Sequence, residues 1–151
     1  MNSKKLNDLA TKNLKNRFND NLSPVKSIFY EKMNKLLFSG SKDGLVRIWK
    51  EDIEENLTNR GTFQVPKGSH VSNLHYSSKL KLLFTTGGSN GDVVVWKEEK
   101  HLEFNPSLVI SCGAEVNSLL VTDYPPLMFV GTKQGTMKVY EIEYDTKGGL
   151  I

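Results

Sequence analysis

The positions of apolar residues repeat three times along the chain. Each repeat opens with a segment that has apolar side chains at its first, fourth and sixth places: Val25, Ile28 and Tyr30; Val71, Leu74 and Tyr76; Val116, Leu119 and Val121. A regular β-strand alternates its side chains with a period of two. The skipped place therefore predicts a strand with a bulge near its start, where one extra residue redirects the side chains that follow.

A second strand and a tight hairpin follow each opening strand. The second strands begin after polar or proline-containing turns, at Leu36, Leu82 and Leu127. We expect the last of these turns to lie at Pro125-Pro126, because proline cannot donate to a sheet ladder. The hairpin turns are Asp43-Gly44, Asn90-Gly91 and Gln134-Gly135. Asp-Gly and Asn-Gly are strong hairpin signals because these residues tolerate a positive φ.

A third strand and an outer fourth strand complete the pattern. The third strands end at Trp49, Trp96 and Tyr140, with gaps of 47 and 44 residues. Residues 61–65 (GTFQV) and 107–111 (SLVIS) are rich in β-forming residues and are predicted to be outer strands. The segment after Tyr140 is too short for a complete outer strand in the last copy. A period of about 45 residues with four strands per repeat predicts the blades of a β-propeller.

The chain resembles the WD40 repeat family over residues 24–145. The resemblance rests on the opening valines, the LLFSGS-type second strand, the Asp-Gly type of turn and the closing tryptophan, in three copies that stay in register. The signature positions are Ser39, Asp43, Gly44 and Trp49 in the first copy, Asn90, Gly91 and Trp96 in the second, and Gly135 and Tyr140 in the third.

Each copy also departs from the family pattern. The usual closing Trp-Asp pair is replaced by Trp49-Lys50, Trp96-Lys97 and Tyr140-Glu141, and the Gly-His pair before the first strand is missing from all three copies. In the family, that histidine, the turn aspartate, a serine or threonine and the tryptophan form a buried hydrogen-bond network. We infer that the full network is absent and that the blades depend on apolar packing and turn geometry.

The predicted fold is all-β, with three four-stranded antiparallel WD40-type blades in a partial or open ring. The repeats cover about residues 23–65, 66–112 and 113–151, and the last blade lacks its outer strand. Residues 1–22 form a separate tail with six asparagines and no glycine. We expect this tail to be partly helical or disordered, and a partner-binding amphipathic helix is the alternative.

The charge is concentrated in the tail. The net charge is +3, and residues 1–22 carry five basic and two acidic side chains, which leaves the remaining residues balanced. This balance argues against binding of the repeats to nucleic acid. The chain has no apolar run of about 20 residues, so no membrane partner is expected. Cys112 is the single cysteine, which excludes an internal disulfide and favours an intracellular, cytoplasmic location.

Three blades are too few for a closed ring, because closed propellers contain about 4–8. An open arc exposes an apolar face at each end, and exposed apolar patches mark interfaces. Three completions are open at this point. The chain can be a segment of a longer protein with further blades, two copies can form a six-bladed ring as a homodimer, or a protein partner can cover the ends.

The residues do not assemble a catalytic, cofactor or metal site. His70, His75 and His101 are scattered, and Cys112 has no basic neighbour in sequence. The acidic run 51–55 is expected to be a solvated loop, and the glycine-rich run 87–91 lacks the following helix of a phosphate-binding loop. We therefore expect a protein that is not an enzyme and needs no cofactor.

The resemblance implies a protein-interaction scaffold. In the family, partners contact the top face of the ring, near the first-strand bulge and beside the hairpin turn. The matching positions are Lys26, Ser72 and Asn117 on the first strands, and Lys42, Ser89 and Lys133 next to the turns. The two turn lysines would make this rim mildly basic. The alternatives are a segment of a cytoskeletal or ciliary WD-repeat protein, or a propeller that binds lipid or nucleic acid.

Overall fold

The computed structural model describes residues 23–66 and 69–143. These residues form three antiparallel sheets and no helix, which confirms the predicted all-β class. Blade 1 contains β1 (Val25–Glu31), β2 (Leu36–Ser41), β3 (Leu45–Glu51) and β4 (Leu57–Gln64). Blade 2 contains β5 (Asn73–Ser77), β6 (Leu82–Gly87), β7 (Asp92–Lys100) and β8 (Glu103–Ser111). Blade 3 contains β9 (Val116–Asp123), β10 (Pro126–Thr132) and β11 (Met137–Glu141).

Each blade is a meander in which neighbouring strands of the chain pair side by side. Blades 1 and 2 have four strands, and the part of blade 3 that the structure describes has three. The predictions for the tail, residues 1–22, and for the segment after residue 143 lie outside the described residues.

The first-strand bulges are present. The register of β1 against β2 shifts between Val25 and Ser27, which leaves Lys26 as the extra residue. In blade 3 the shift opposite Gly131 and Thr132 leaves Asn117 unpaired in the same way. The regular pairing of blade 2 begins only at Asn73, and the N–H of Ser72 donates to the carbonyl of Thr86, the residue that also pairs with Asn73. The interrupted apolar pattern is thus explained by one extra residue per strand.

The glycines of the predicted hairpin turns lie in the left-handed region. The φ angles of Gly44, Gly91 and Gly135 are 80°, 73° and 82°. The Asp43 side chain supports the first of these turns, since its Oδ1 accepts a hydrogen bond from the Ser41 hydroxyl (2.5 Å) and another from the Leu45 N–H (3.1 Å).

Two boundaries differ from the predictions. The outer strands begin at Leu57 and Glu103, four residues earlier than the apolar pattern indicated, because an exposed edge strand accepts polar side chains along its length. Pro126 is not part of the reversal but the first residue of β10, where it pairs with Asp123. A strand can begin with proline because the first position needs no N–H donor.

The core consists of two apolar clusters, one at each junction between blades. The first combines residues of blades 1 and 2: Leu36, Phe38, Val46, Ile48, Val65, Val71, Leu74, Tyr76, Leu83, Val94, Trp96 and Phe104. The second combines residues of blades 2 and 3: Leu82, Phe84, Val93, Val95, Cys112, Val116, Val121, Met128, Val130 and Ile142. Burial of apolar surface between blades is therefore what holds the arc together.

Candidate functional site

The upper edge of the arc is formed by the starts of the first strands and by the hairpins between the second and third strands. Antiparallel pairing brings the two together in each blade. The N–H of Lys42 donates to the carbonyl of Pro24 (2.9 Å), and the N–H of Lys133 donates to that of Glu115 (2.8 Å). The six predicted rim residues consequently lie along this one edge: Lys26, Lys42, Ser72, Ser89, Asn117 and Lys133.

Hydrogen bonds between blades make this edge continuous. The N–H of Val71 in blade 2 donates to the carbonyl of Ser41 in blade 1 (3.0 Å). The Asn73 side chain in blade 2 donates to the carbonyl of Val116 in blade 3 (3.4 Å). The first strands of neighbouring blades are thereby held at the same height.

The charges on the upper edge are mixed. Lys26 and Lys42 are exposed, but the ammonium group of Lys133 pairs with the Glu115 carboxylate at 3.0 Å. Asp43 lies on the same edge, and the Ser41 hydroxyl lowers the pKa of its carboxyl, with smaller contributions from the Leu45 N–H and the Arg47 guanidinium. The carboxylate therefore stays charged at neutral pH, so one lysine of the predicted basic rim is neutralised and another has an acidic neighbour.

Hydroxyl groups on the second strands satisfy the buried tryptophans. The indole N–H of Trp49 donates to Ser39 Oγ (3.0 Å), and that of Trp96 donates to Thr85 Oγ1 (2.8 Å). The sequence pattern predicted Ser39 but not Thr85, although the two residues occupy the same place in their strands. In blade 3 this place holds Val130, and the Tyr140 hydroxyl lies 3.7 Å from the buried Cys112 sulfur.

A tyrosine–glutamate pair joins the first and third strands at the lower edge of blades 1 and 2. The hydroxyl of Tyr30 donates to Glu51 (2.5 Å), and that of Tyr76 donates to Glu98 (2.7 Å). In blade 3 the same two places hold the buried pair Val121 and Ile142. Only a comparison of the three repeats in register reveals this exchange.

Glu98 remains ionised although it is buried. Burial alone would raise the pKa of its carboxyl, but hydrogen bonds from the Leu102 N–H and the Tyr76 hydroxyl and the charge of Lys81 together hold it below the usual value. Burial is also the first cause of the raised pKa of Tyr76, and its hydrogen bond to Glu98 is the second. The pair is therefore a neutral phenol that donates to a carboxylate.

The histidines and the acidic run lie apart from one another. His75 is half-buried with its ring 4.3 Å from that of Phe29, and burial lowers its pKa although the Asp123 carboxylate opposes the shift. Asp52, in the acidic run, accepts hydrogen bonds from the N–H groups of Glu54 and Asn56 within its own exposed loop. Among residues 23–66 and 69–143, no group of three or more His, Cys, Asp or Glu side chains is placed to hold a metal ion.

Both ends of the arc expose apolar faces. The open face of blade 1 consists of Val25, Ile28 and Tyr30, and the open face of blade 3 includes Leu120, Met137 and Val139. Ile28 is 69% exposed, whereas Leu74, at the same place in blade 2, is 5% exposed because blade 1 covers it.

No helix in the described part of the chain could span a membrane.

Comparison with known proteins supports the resemblance found in the repeats. Residues 12–50 match the family model "WD domain, G-beta repeat". The chain is 26% identical over 129 residues to the WD repeat-containing protein 91 homolog of Dictyostelium discoideum. That alignment covers 81% of this chain and 16% of the relative, so the chain spans about a sixth of the relative's length. These matches confirm the resemblance of the chain to the WD40 repeat family.

Solved structures of low identity share the fold. Sqt1 of Saccharomyces cerevisiae superposes with a TM-score of 0.70 at 19% identity, covering 89% of this chain and 35% of Sqt1. A chain of the mitotic checkpoint complex superposes with a TM-score of 0.65 at 17% identity, covering 80% of this chain and 36% of that one. The described blades therefore have the fold of an arc of a WD40 propeller. In each comparison this arc corresponds to about a third of the matched chain.

Proposed function

We propose that this WD40-repeat chain is a scaffold that binds a protein partner along its upper edge. The observation that supports this most is the continuous edge in which three first-strand starts and three hairpins come together. Lys26, Lys42, Ser89 and Asn117 are exposed on it, whereas Ser72 is bonded to Thr86 and Lys133 to Glu115. The first four residues are therefore proposed to make the main contacts.

A protein is the class of partner best supported by the comparisons. WD40 propellers are generally non-enzymatic scaffolds, and one matched structure is a chain of a multi-protein complex. A lipid or nucleic-acid reader would need a basic surface to bind phosphate. The Lys133–Glu115 pair and the neighbouring carboxylate of Asp43 favour a partner that presents both charged and polar groups instead.

The arc itself is proposed to work as part of a larger ring. Its open faces carry apolar side chains at places that are buried between blades elsewhere in the chain. Further blades of a longer polypeptide or those of a second copy would cover them. We place the assembly in the cytoplasm because the single cysteine needs no oxidising compartment.

Charge reversal on the upper edge tests the proposed function. Lys42→Glu combined with Lys26→Glu should abolish capture of the proteins that the wild-type chain retains from an extract of its source cells. The measurement is quantitative mass spectrometry of the retained proteins. Reversal of charge changes only exposed side chains, so the fold should persist.

The matched control is the double variant Lys79→Glu and Lys97→Glu, which changes the same charge at exposed positions away from the upper edge. It should retain the same proteins as the wild type. Equal retention by both double variants would refute the upper edge as the binding surface.

A further inference from the structure

The junction between blades 1 and 2 is built from a small set of specific pairings. The ring of Phe38 packs on that of Tyr76 with centroids 4.8 Å apart. The Oγ of Ser27 accepts the N–H of Leu74 at 3.1 Å. Gly40 leaves room for Val71, since a Cβ at this glycine would overlap the valine side chain. Blade 1 thus contributes serine, phenylalanine and glycine, and blade 2 contributes valine, leucine and tyrosine.

The junction between blades 2 and 3 uses a different set. At the places of Ser27 and Gly40, blade 2 has Asn73 and Thr86. Asn73 donates across the junction to the Val116 carbonyl, and the place of the tyrosine holds the smaller Val121. The chain therefore contains two distinct types of junction, which differ at three places.

The open face of blade 3 repeats the first type. It has Ser118, Phe129 and Gly131 at the places of Ser27, Phe38 and Gly40. These residues border a groove of about 340 Å³ that is also lined by apolar side chains, among them Leu120 and Met137. No described residue covers these two side chains, which are more than half exposed.

The open face of blade 1 repeats the other half of the same junction. Val25, Ile28 and Tyr30 stand at the places of Val71, Leu74 and Tyr76. The two ends of the arc consequently carry the two halves of the junction that already joins blades 1 and 2. Neither end matches the second type of junction at the places where the types differ.

We infer that the open face of blade 3 binds β1 of a second copy of this chain, and that two such contacts close a six-bladed ring. This inference deepens the proposed function, because it names the occupant of the open faces. In each contact Tyr30 packs on Phe129, the N–H of Ile28 donates to Ser118, and Val25 occupies the space beside Gly131. Six blades lie within the range of about 4–8 found in closed propellers.

Charges at the lower edge agree with this pairing. Lys32 of blade 1 stands at the place of Ser78 in blade 2 and Asp123 in blade 3. Both of these residues contact the preceding blade: Ser78 bonds to Glu31, and Asp123 bonds to Ser77. In the second copy's contact this lysine would approach Thr122, a neutral residue, whereas the Asp123 carboxylate is bonded to Ser77 of blade 2. No like charges therefore oppose each other at this place.

Disulfide trapping tests the contact directly. Ile28→Cys and Ser118→Cys proteins are mixed in equal amounts and oxidised, with Cys112 unchanged in both because it is buried. The mixture should form a covalent heterodimer, since the corresponding backbone and side-chain atoms at the existing junction lie 3.1 Å apart. The matched control pairs Ser118→Cys with Met33→Cys, an exposed position in the turn after the same strand, and should yield only background cross-linking.

Light scattering measures whether the ring closes. The wild-type chain should have twice the mass of its 17.0 kDa monomer, and Ile28→Lys should be monomeric, whereas Ile53→Lys, in the exposed loop after β3, should remain a dimer. A monomeric wild-type chain, a series of larger species, or equal cross-linking by the control pair would overturn the inference.

The two proposals fail separately. If Ile28→Lys is monomeric but still captures the partner proteins, the ring is not needed for partner binding. If the double variant Lys26→Glu and Lys42→Glu loses capture but keeps the mass of the wild type, the upper edge binds the partner without any part in ring closure.

Discussion

Individual hydroxyl groups decide whether the buried tryptophans of blades 1 and 2 are satisfied. Each indole N–H has one serine or threonine oxygen within 3.0 Å, and both bonds are buried. A buried donor that loses its acceptor costs about 1–3 kcal/mol. These two hydrogen bonds take the place of the larger polar network that is typical of the family.

Thr85→Val should therefore lower the free energy of unfolding by about 1–3 kcal/mol, because the valine keeps the shape of the side chain and removes the acceptor of Trp96. Urea denaturation measures the change. Thr85→Ser, which keeps the hydroxyl, is the control and should lose less. If both substitutions were equally destabilising, the hydrogen bond would not be the cause.

His75 makes the stability depend on pH. Burial lowers its pKa below the ordinary value of about 6.5, so the unfolded chain takes up a proton at a higher pH than the folded one. The stability is thus fully retained above that value and falls as the pH drops below it. Acidification from about pH 7.5 to 5.5 should lower the midpoint of thermal unfolding, and His75→Leu should reduce this loss.

An unchanged pH dependence in the His75→Leu variant would contradict the assignment. Glu98 adds its own loss at lower pH, since its pKa is depressed and its stabilisation disappears when the carboxylate takes up a proton.

At the residue scale, the sequence predicted the signature positions but not all of their partners. Ser39 and Trp49 were found because they match the family pattern. Thr85 and the tyrosine–glutamate pairs were missed, since a hydrogen bond between strands depends on register and side-chain direction. The ion pair of Lys133 was missed for the same reason, because its partner Glu115 is distant in sequence from it.

Among the elements, the hairpin turns are the most sharply specified. Each has a glycine with a positive φ, but the surroundings differ. A Cβ at Gly91 would overlap the backbone carbonyl of Ala114, whereas a Cβ at Gly135 would meet no atom within 4 Å. Substitution by alanine at Gly135 therefore introduces conformational strain alone, whereas at Gly91 it adds a steric overlap.

Gly135→Ala should lower the free energy of unfolding by about 1–2 kcal/mol, which is the strain of an alanine in the left-handed region. Gly91→Ala should carry the same strain and lose about 1–3 kcal/mol more, because the backbone of the loop before β9 must move. Thermal unfolding of the two variants gives the comparison. Equal losses would indicate that the loop moves without strain.

The strands themselves were predicted to different degrees. Inner strands carry apolar side chains that are buried between blades, so their pattern in the sequence is clear. The outer strands β4 and β8 contain many exposed polar residues, and their first four residues each were taken for loops. Their pairing with β3 and β7 depends on backbone hydrogen bonds, which leave little trace in the sequence.

At the scale of the whole molecule, the repeat count predicted an open arc, and the structure adds the character of its ends. The open faces of blades 1 and 3 reproduce the two halves of one internal junction. This match could not be derived from the apolar pattern alone. It requires knowledge of which residues meet across a junction, and only the packed blades supply it.

The ends of the arc are proposed to cover each other in a second copy of the chain. The midpoint of thermal unfolding, measured over about a hundredfold range of protein concentration, tests this contact. Because only the folded arc can associate, we expect the midpoint of the wild-type chain to rise with concentration and that of Ile28→Lys to stay constant. A wild-type midpoint that does not change with concentration would show that the ends do not associate.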